Sequence, residues 1–201
     1  MSTARLETFA DGVFAIAATL LILNVDTEVS AGTHDLGADL ARAWPSYIAY
    51  AVSFLTIGII WVNHHTVMGQ VGHTDRTFLF ANVTFLMCVA FIPFPTRLVA
   101  AHFGEPGLQA AALAYGVTLT ATAVLFSVVW LYASVGGRLL RPDADPRTVS
   151  GITRSYLPGP WIYLAATLVA LASPTASVVL FAAIAVFYVV ESSLFGRDEK
   201  T

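Results

Sequence analysis

Six long apolar stretches dominate the pattern of hydrophobic and polar positions along the chain. They cover residues 9–25, 44–67, 77–101, 108–135, 156–172 and 174–195, here called spans 1 to 6. A bilayer core about 30 Å thick needs about 20 largely apolar residues in a helix. Since unpaired backbone groups are not tolerated in hydrocarbon, the pattern predicts an all-α integral membrane protein. Its expected organisation is a single domain, residues 1–201, with six transmembrane helices.

Two of the predicted elements carry signals of irregular structure. Span 5 is short and starts with Pro158, Gly159 and Pro160, so we expect an irregular beginning. The long connection between spans 4 and 5, residues 134–155, contains a Gly-Gly pair and two prolines. Such residues mark turns and loops, and they predict an irregular connector.

The composition agrees with a membrane protein and excludes several partners. Hydrophobic residues make up 57% of the chain and charged residues 11%, with a mean hydropathy of +0.73. That charged share is about half of what soluble domains carry, so lipid is expected to cover much of the surface. The formal net charge of −3 gives no basic footprint for a nucleic-acid partner.

The distribution of basic residues predicts the orientation. With six spans, both termini share a side with the connections after spans 2 and 4. Of the 10 Lys and Arg residues, that side holds Arg5, Arg76, Arg138, Arg141, Arg147, Arg154, Arg197 and Lys200. The other side holds Arg42 and Arg97. The positive-inside rule therefore predicts a multi-pass protein of the cell (plasma) membrane with both termini in the cytoplasm.

Polar residues inside the spans are the candidate functional residues, because ionisable groups in lipid are costly. Arg5 and Asp11 in span 1 are six positions apart, which on an ideal helix separates them by about 240°. They cannot share a face, so each needs a partner on another helix, in water or on a neighbouring subunit. Candidate donors and acceptors at the end of span 2 and in span 3 are Trp61, Asn63, His64, His65 and Asn82.

Metal binding and enzymatic catalysis find little support in the motifs. A metal site from His64, His65 and His73 is unfavourable, because adjacent helical residues point about 100° apart and no H-x-x-x-H spacing occurs. We therefore expect no metal and no cofactor. The chain has no Gly-x-Ser-x-Gly, H-E-x-x-H or P-loop pattern, so an enzyme is not expected. Histidine protonation conferring pH sensitivity stays open, as does a non-catalytic scaffold.

The start of span 1 resembles the signature of a known channel family. Arg5, Phe9 and Asp11 match the R-x-x-x-F-S-D motif of the transmembrane protein 175 family of potassium channels, while Ala10 replaces its usual serine. The likeness continues in residues 61–65 (WVNHH), in Asn82 and in residues 91–96 (FIPFPT). The alanine removes one hydroxyl from the expected interhelical polar network.

The resemblance implies a homotetramer around a central pore that the first helix lines. The family has no Thr-Val-Gly-Tyr-Gly carbonyl filter, and this chain lacks one too. Family members narrow the pore with rings of bulky apolar side chains. Carried across by alignment from Asp11, the resemblance places these constriction positions at Ile16, Leu20 and Leu23.

Helix geometry is compatible with that assignment. Relative to Ile16, Leu20 lies at about 40° and Leu23 at about −20°, which puts the three on one stripe. Thr19, at about −60° on the same helix, flanks the stripe and has a hydroxyl to offer a passing ion. Asp11, about 140° away from Ile16, should face neighbouring helices. The same spacing is also usual for ordinary helix packing, so the stripe alone does not establish a pore.

The functional prediction is a potassium-permeable cation channel that conducts K⁺ passively through an apolar constriction. Its expected partners are other copies of itself, the lipid bilayer and potassium ions. The alternative is a secondary transporter or proton-coupled carrier in which Asp11 and the histidines are the coupling groups. Transporters usually carry inverted repeats and paired broken helices, and neither is clear in this sequence.

Overall fold

The computed structural model describes residues 3–25 and 35–195, and within these ranges its regular elements are helices. They are α1 (Ala4–Leu20), α2 (Leu36–Arg42), α3 (Trp44–Gln70), α4 (Arg76–Phe91), α5 (Pro93–Ala101), α6 (Leu108–Ser134), α7 (Pro146–Tyr156), α8 (Gly159–Val169) and α9 (Pro174–Phe195). A 3-10 turn, Leu21–Asn24, extends α1. Arg197 and Lys200, used above to predict the orientation, lie outside the described residues.

The first four predicted spans coincide with helical segments long and apolar enough to cross a membrane. These segments are Ala4–Asn24, Trp44–Gln70, Arg76–Ala101 and Leu108–Gly137. The prediction of an all-α membrane protein is therefore confirmed. Spans 5 and 6 stay predictions: α8 has 11 residues, about 16 Å of helix, and the described apolar part of α9 is Pro174–Val190.

Span 3 is two helices, α4 and α5, because proline interrupts it. Pro93 has no N–H to donate to the carbonyl of Val89, and its ring crowds the preceding turn. The Val89 carbonyl accepts instead from the N–H of Ile92, at 3.1 Å. At the break, the Asn24 side chain donates to the Pro93 carbonyl at 2.8 Å. The end of the first membrane segment is thereby tied to the break in the third.

The connection between spans 4 and 5 is irregular in its first part, as expected, with positive φ at Gly136 and Gly137, but its second part is a helix that was not predicted. Helix α7 begins after Asp145, whose carboxylate accepts the N–H groups of Arg147 and Thr148. Pro146 takes the first helical position, where a missing N–H costs nothing. An acidic N-cap followed by proline is a helix start signal, and it follows the turn signals of residues 136–142.

Helix α6 occupies the centre of the bundle and packs against α4, α5, α8 and α9. Gly116 permits the close approach of α8, since a Cβ there would lie 2.4 Å from Thr167 Oγ1. Helix α1 packs mainly against α3 and α4. Because its neighbours cover one side only, α1 lies at the edge of the described subunit.

The connections that follow α3 and α6 meet at one end of the bundle. Val71 and Leu140 form an isolated antiparallel β-bridge. The N–H of Gly72 donates to the Leu139 carbonyl at 2.8 Å, and that of Arg141 donates to Gln70 at 2.9 Å. These connections therefore lie on one side of the bundle. This agrees with the two predicted crossings, spans 3 and 4, that separate them along the chain.

Candidate pore-lining helix and its polar contacts

Helix α1 and its 3-10 extension have two distinct faces. One face is buried against α3 and α4 and repeats every three or four residues, as a helix packed on one side does. Its members are Leu6, Ala10, Phe14, Ala17 and Leu21. Ala10, which stands where the family signature has serine, is therefore part of the buried face.

The predicted constriction residues lie on the exposed face of the same segment. Ile16 is 61% exposed, Leu20 42% and Leu23 74%. Leu23 is in the 3-10 turn, where residues three apart eclipse each other, so Leu20 and Leu23 stay on one line. All three side chains are exposed within the described subunit. They form a continuous apolar edge, here called the α1 edge (Ile16, Leu20 and Leu23).

Thr19 flanks the α1 edge and is also exposed. Its hydroxyl donates back to its own helix, at 2.9 Å from the Ala15 carbonyl and 3.0 Å from the Ile16 carbonyl. Since the hydroxyl proton is committed to the backbone, only the oxygen lone pairs remain to make a further contact. Thr19 is thus placed to act as an acceptor.

Asp11 contacts α3 through a side-chain hydrogen bond. The indole N–H of Trp61 donates to the Asp11 carboxylate at 2.8 Å. The Trp61 ring also lies beside His65, with centroids 6.2 Å apart. The bond joins the first half of α1 to α3, and it is open to the surroundings rather than enclosed in the core.

A second polar pair, His64 and Asn82, is buried. His64 lies one turn after Trp61 on α3. Nε2 of His64 donates to Oδ1 of Asn82 at 3.1 Å, and the Asn82 amide donates to the Phe78 carbonyl at 2.9 Å. The His64 ring stacks on Phe85 with an 8° interplanar angle, and the ring of Phe14 from α1 lies 5.6 Å away. An aromatic cage thus links the buried face of α1 to α3 and α4.

The remaining predicted polar residues do not join either pair. Asn63 accepts from the hydroxyl of Tyr156 at 3.4 Å, on another side of α3. Phe9 is exposed. Arg5 is exposed and forms no hydrogen bond or ion pair with residues 3–25 or 35–195. The signature residues are therefore split between contacts within the subunit and side chains that face outward.

Sequence reasoning missed Phe14, Phe85 and Asn24. The two phenylalanines enclose His64, but a phenylalanine in an apolar span carries no signal that separates it from its neighbours. Asn24 was detectable, because an amide at the end of an apolar run needs a partner. Its bond to the Pro93 carbonyl supplies that partner.

Comparison with known proteins gives consistent matches. The sequence profile of a family described as "Endosomal/lysosomal potassium channel TMEM175" matches residues 5–93. A potassium channel of Chamaesiphon minutus is 38% identical over 193 residues, which cover 95% of each chain. A potassium channel of Streptomyces collinus is 44% identical over 142 residues, 70% of this chain and 69% of that one.

One solved structure resembles the whole described fold. It is the crystal structure of a lysosomal potassium-selective channel TMEM175 homolog from Chamaesiphon minutus, with a TM-score of 0.81 and 35% sequence identity. The superposition covers 94% of this chain and 97% of that one. The likeness therefore extends well beyond residues 5–93.

Proposed function

Because this chain belongs to the TMEM175 family of potassium channels, we infer that it is a potassium channel that conducts K⁺ passively across a membrane. Two relatives that are 38% and 44% identical are potassium channels. The related crystal structure is that of a potassium-selective channel. An ion-channel family is not an enzyme class.

We further propose that subunits assemble as a homotetramer and that the α1 edge borders a shared central pore. The observation that carries this proposal is the exposure of Ile16, Leu20 and Leu23 on a helix whose opposite face is buried. In a four-fold assembly, each of these residues repeats as a ring of four apolar side chains. From Ile16 to Leu23 the rings span about 10 Å of pore axis.

Apolar rings control conduction through their hydration. A narrow apolar neck sheds water and closes, and it conducts once its helices splay and water re-enters. K⁺ gives up its hydration water more readily than Na⁺, so a tight neck favours K⁺ without a carbonyl cage. Thr19 adds an acceptor oxygen beside the rings. We propose modest K⁺ over Na⁺ preference from this combination.

The two polar pairs are proposed to position α1 rather than to bind ions. Trp61 holds Asp11 at 2.8 Å, and His64 with Asn82 fixes the cage around Phe14. Interhelical hydrogen bonds in membranes average about 0.6 kcal/mol, so their effect is to specify the tilt of α1. Arg5 and Phe9 face outward and are proposed to contact a neighbouring subunit.

We propose the plasma membrane as the location, with both termini in the cytoplasm and six crossings per subunit. The eight-to-two division of basic residues supports this orientation. The shared side of the α3–α4 and α6–α7 connections agrees with it. Accessibility of a C-terminal tag to protease in intact cells tests the proposal, and cleavage from outside would contradict it.

Potassium flux from liposomes tests the function directly. Purified protein in K⁺-loaded vesicles should release K⁺ down its gradient, whereas empty vesicles retain it. Ile16→Asn and Leu23→Ala should change conductance or K⁺/Na⁺ preference, while Met87→Ala, at an exposed position of α4, should not. If both α1 variants kept the wild-type K⁺ flux and K⁺/Na⁺ preference, these residues would not line the pore.

Cysteine accessibility separates a pore from a lipid-facing edge. The chain has one cysteine, Cys88, so Cys88→Ser provides a clean background. Ile16→Cys or Leu23→Cys should then react with a charged, water-soluble thiol reagent and lose K⁺ flux. Met87→Cys is the control for lipid exposure and should stay unreactive. Equal inertness of all three would place the α1 edge in lipid.

A further inference from the structure

A groove on the flank of the subunit, away from α1, has no residue of the α1 edge in its lining. It lies between α3, α9 and the α7–α8 connection and has a volume of about 780 Å³. Leu55, Val62, Ile162 and Phe187 are among its apolar lining residues. Along α3 it extends from Phe54 to Asn63, about 14 Å of helix. That length matches one leaflet of a hydrocarbon core about 30 Å thick.

The end of this groove nearest α7 is polar. Arg154, Ser155 and Tyr156 line it together with Asn63, and the Tyr156 hydroxyl donates to Asn63 Oδ1 at 3.4 Å. Arg154 is exposed and forms neither an ion pair nor a hydrogen bond within the described ranges. The groove therefore combines an apolar trough of leaflet depth with a guanidinium at its mouth that no side chain among the described residues 3–25 and 35–190 neutralises.

The position of Arg154 is fixed by the inner face of α7. Ile152 is buried against the bundle, and the indole N–H of Trp130 in α6 donates to Thr153 Oγ1 at 2.8 Å. These two contacts anchor the helical turn that carries Arg154. Its guanidinium is thus presented from a rigid element, which lowers the ordering cost of binding a ligand there.

We propose that this groove, here called the α3–α9 groove, binds one anionic phospholipid from the leaflet on the α7 side. The phosphate pairs with Arg154, which suits the planar donors of a guanidinium, and Ser155 and Asn63 offer further polar contacts. One acyl chain lies along Leu55, Val62 and Ile162. Basic pockets between transmembrane helices are a recognised class of acidic-headgroup site.

Charge selects an anionic lipid over the other occupants. A zwitterionic lipid brings its own cation to the mouth, where Arg154 already supplies one. A second copy of the chain would bury Arg154 unless it brought a carboxylate, because an unpaired charge is costly to desolvate. The site lies on a different face from the α1 edge, so its test is independent of conduction.

Native mass spectrometry of the protein extracted from bilayers with equal phosphatidylglycerol and phosphatidylcholine tests the proposal. The wild type should retain phosphatidylglycerol in preference to phosphatidylcholine. Arg154→Gln should reduce phosphatidylglycerol retention about fivefold, the factor that corresponds to about 1 kcal/mol per surface Arg. Arg147→Gln is the matched control, since Arg147 is an exposed arginine of the same helix outside the groove lining. Its retention should equal that of the wild type.

A second variant tests the apolar part of the groove. Ile162→Trp fills the channel and leaves Arg154 in place, so it should also lower phosphatidylglycerol retention. Unchanged retention in both Arg154→Gln and Ile162→Trp would overturn the proposal, as would equal losses in Arg154→Gln and Arg147→Gln. In a Cys88→Ser background, rapid disulfide formation between Ile162→Cys subunits would show that a second copy covers the groove and would likewise overturn it.

Discussion

Asn82→Ala is the sharpest test of the buried polar pair. Asn82 is fully buried and accepts from His64 Nε2 at 3.1 Å. The truncation removes that acceptor while His64, 3% exposed, stays enclosed by Phe14 and Phe85. The ring nitrogen then has no partner among the side chains that surround it. The substitution also removes the hydrogen bond that the Asn82 side-chain amide donates to the Phe78 carbonyl. That carbonyl loses one of its donors and nothing else.

Two effects set the magnitude, and the larger is the orphaned nitrogen. An interhelical hydrogen bond in a membrane protein is worth about 0.6 kcal/mol on average. Leaving a buried donor unpaired costs about 1–3 kcal/mol. Since burial excludes a replacement partner, we expect a loss of about 2 kcal/mol. For a chain of about 200 residues that corresponds to a drop of about 4–8 °C in Tm.

The assay is thermal unfolding of the purified protein in detergent, followed by loss of the assembled peak on size exclusion. Thr84→Ala is the control, because its hydroxyl bonds the Phe80 carbonyl of its own helix at 2.9 Å. A double variant with His64→Phe should lose less than the sum of the single losses, since removing both partners leaves no orphan. An Asn82→Ala midpoint equal to that of Thr84→Ala would refute the reasoning.

Two further predictions concern packing and the connection after α3. Gly116→Ala should lower Tm by several degrees, because its Cβ would meet Thr167 Oγ1 at 2.4 Å and the Phe181 ring at 2.9 Å. Overpacking of this kind costs about 1–3 kcal/mol. Adding Thr167→Ala should recover part of the loss, and no recovery would contradict this steric cause. Asp75, outside the membrane segments, accepts the N–H of Phe78 and the hydroxyl of Tyr132, and both bonds keep its carboxyl pKa below the ordinary 3.8. Its contribution to stability is therefore complete above the ordinary pKa and lost as pH falls through the lowered value. Thermal scans between pH 7 and pH 3 should show that Tm falls less steeply with decreasing pH in Asp75→Asn than in the wild type. An equal fall of Tm in both proteins would contradict this.

The sequence alone determined the features that depend on local pattern. Apolar runs long enough for a bilayer identified the first four membrane segments, because length and hydropathy are properties of each segment by itself. The stripe of Ile16, Leu20 and Leu23 followed from helix periodicity together with the family signature. The structure places these side chains on the exposed face of α1, where periodicity could not choose between exposure and burial.

Only the tertiary structure decided which polar groups meet. From the sequence, Asp11, Trp61, His64 and Asn82 formed one candidate network, whereas the fold separates an exposed pair from a buried one. Neighbouring residues on a helix point about 100° apart, so adjacent Asn63 and His64 contact different partners. The choice of partner depends on which helix faces each direction, and that is fixed by packing between residues distant in sequence. Periodicity along one helix carries no information about it.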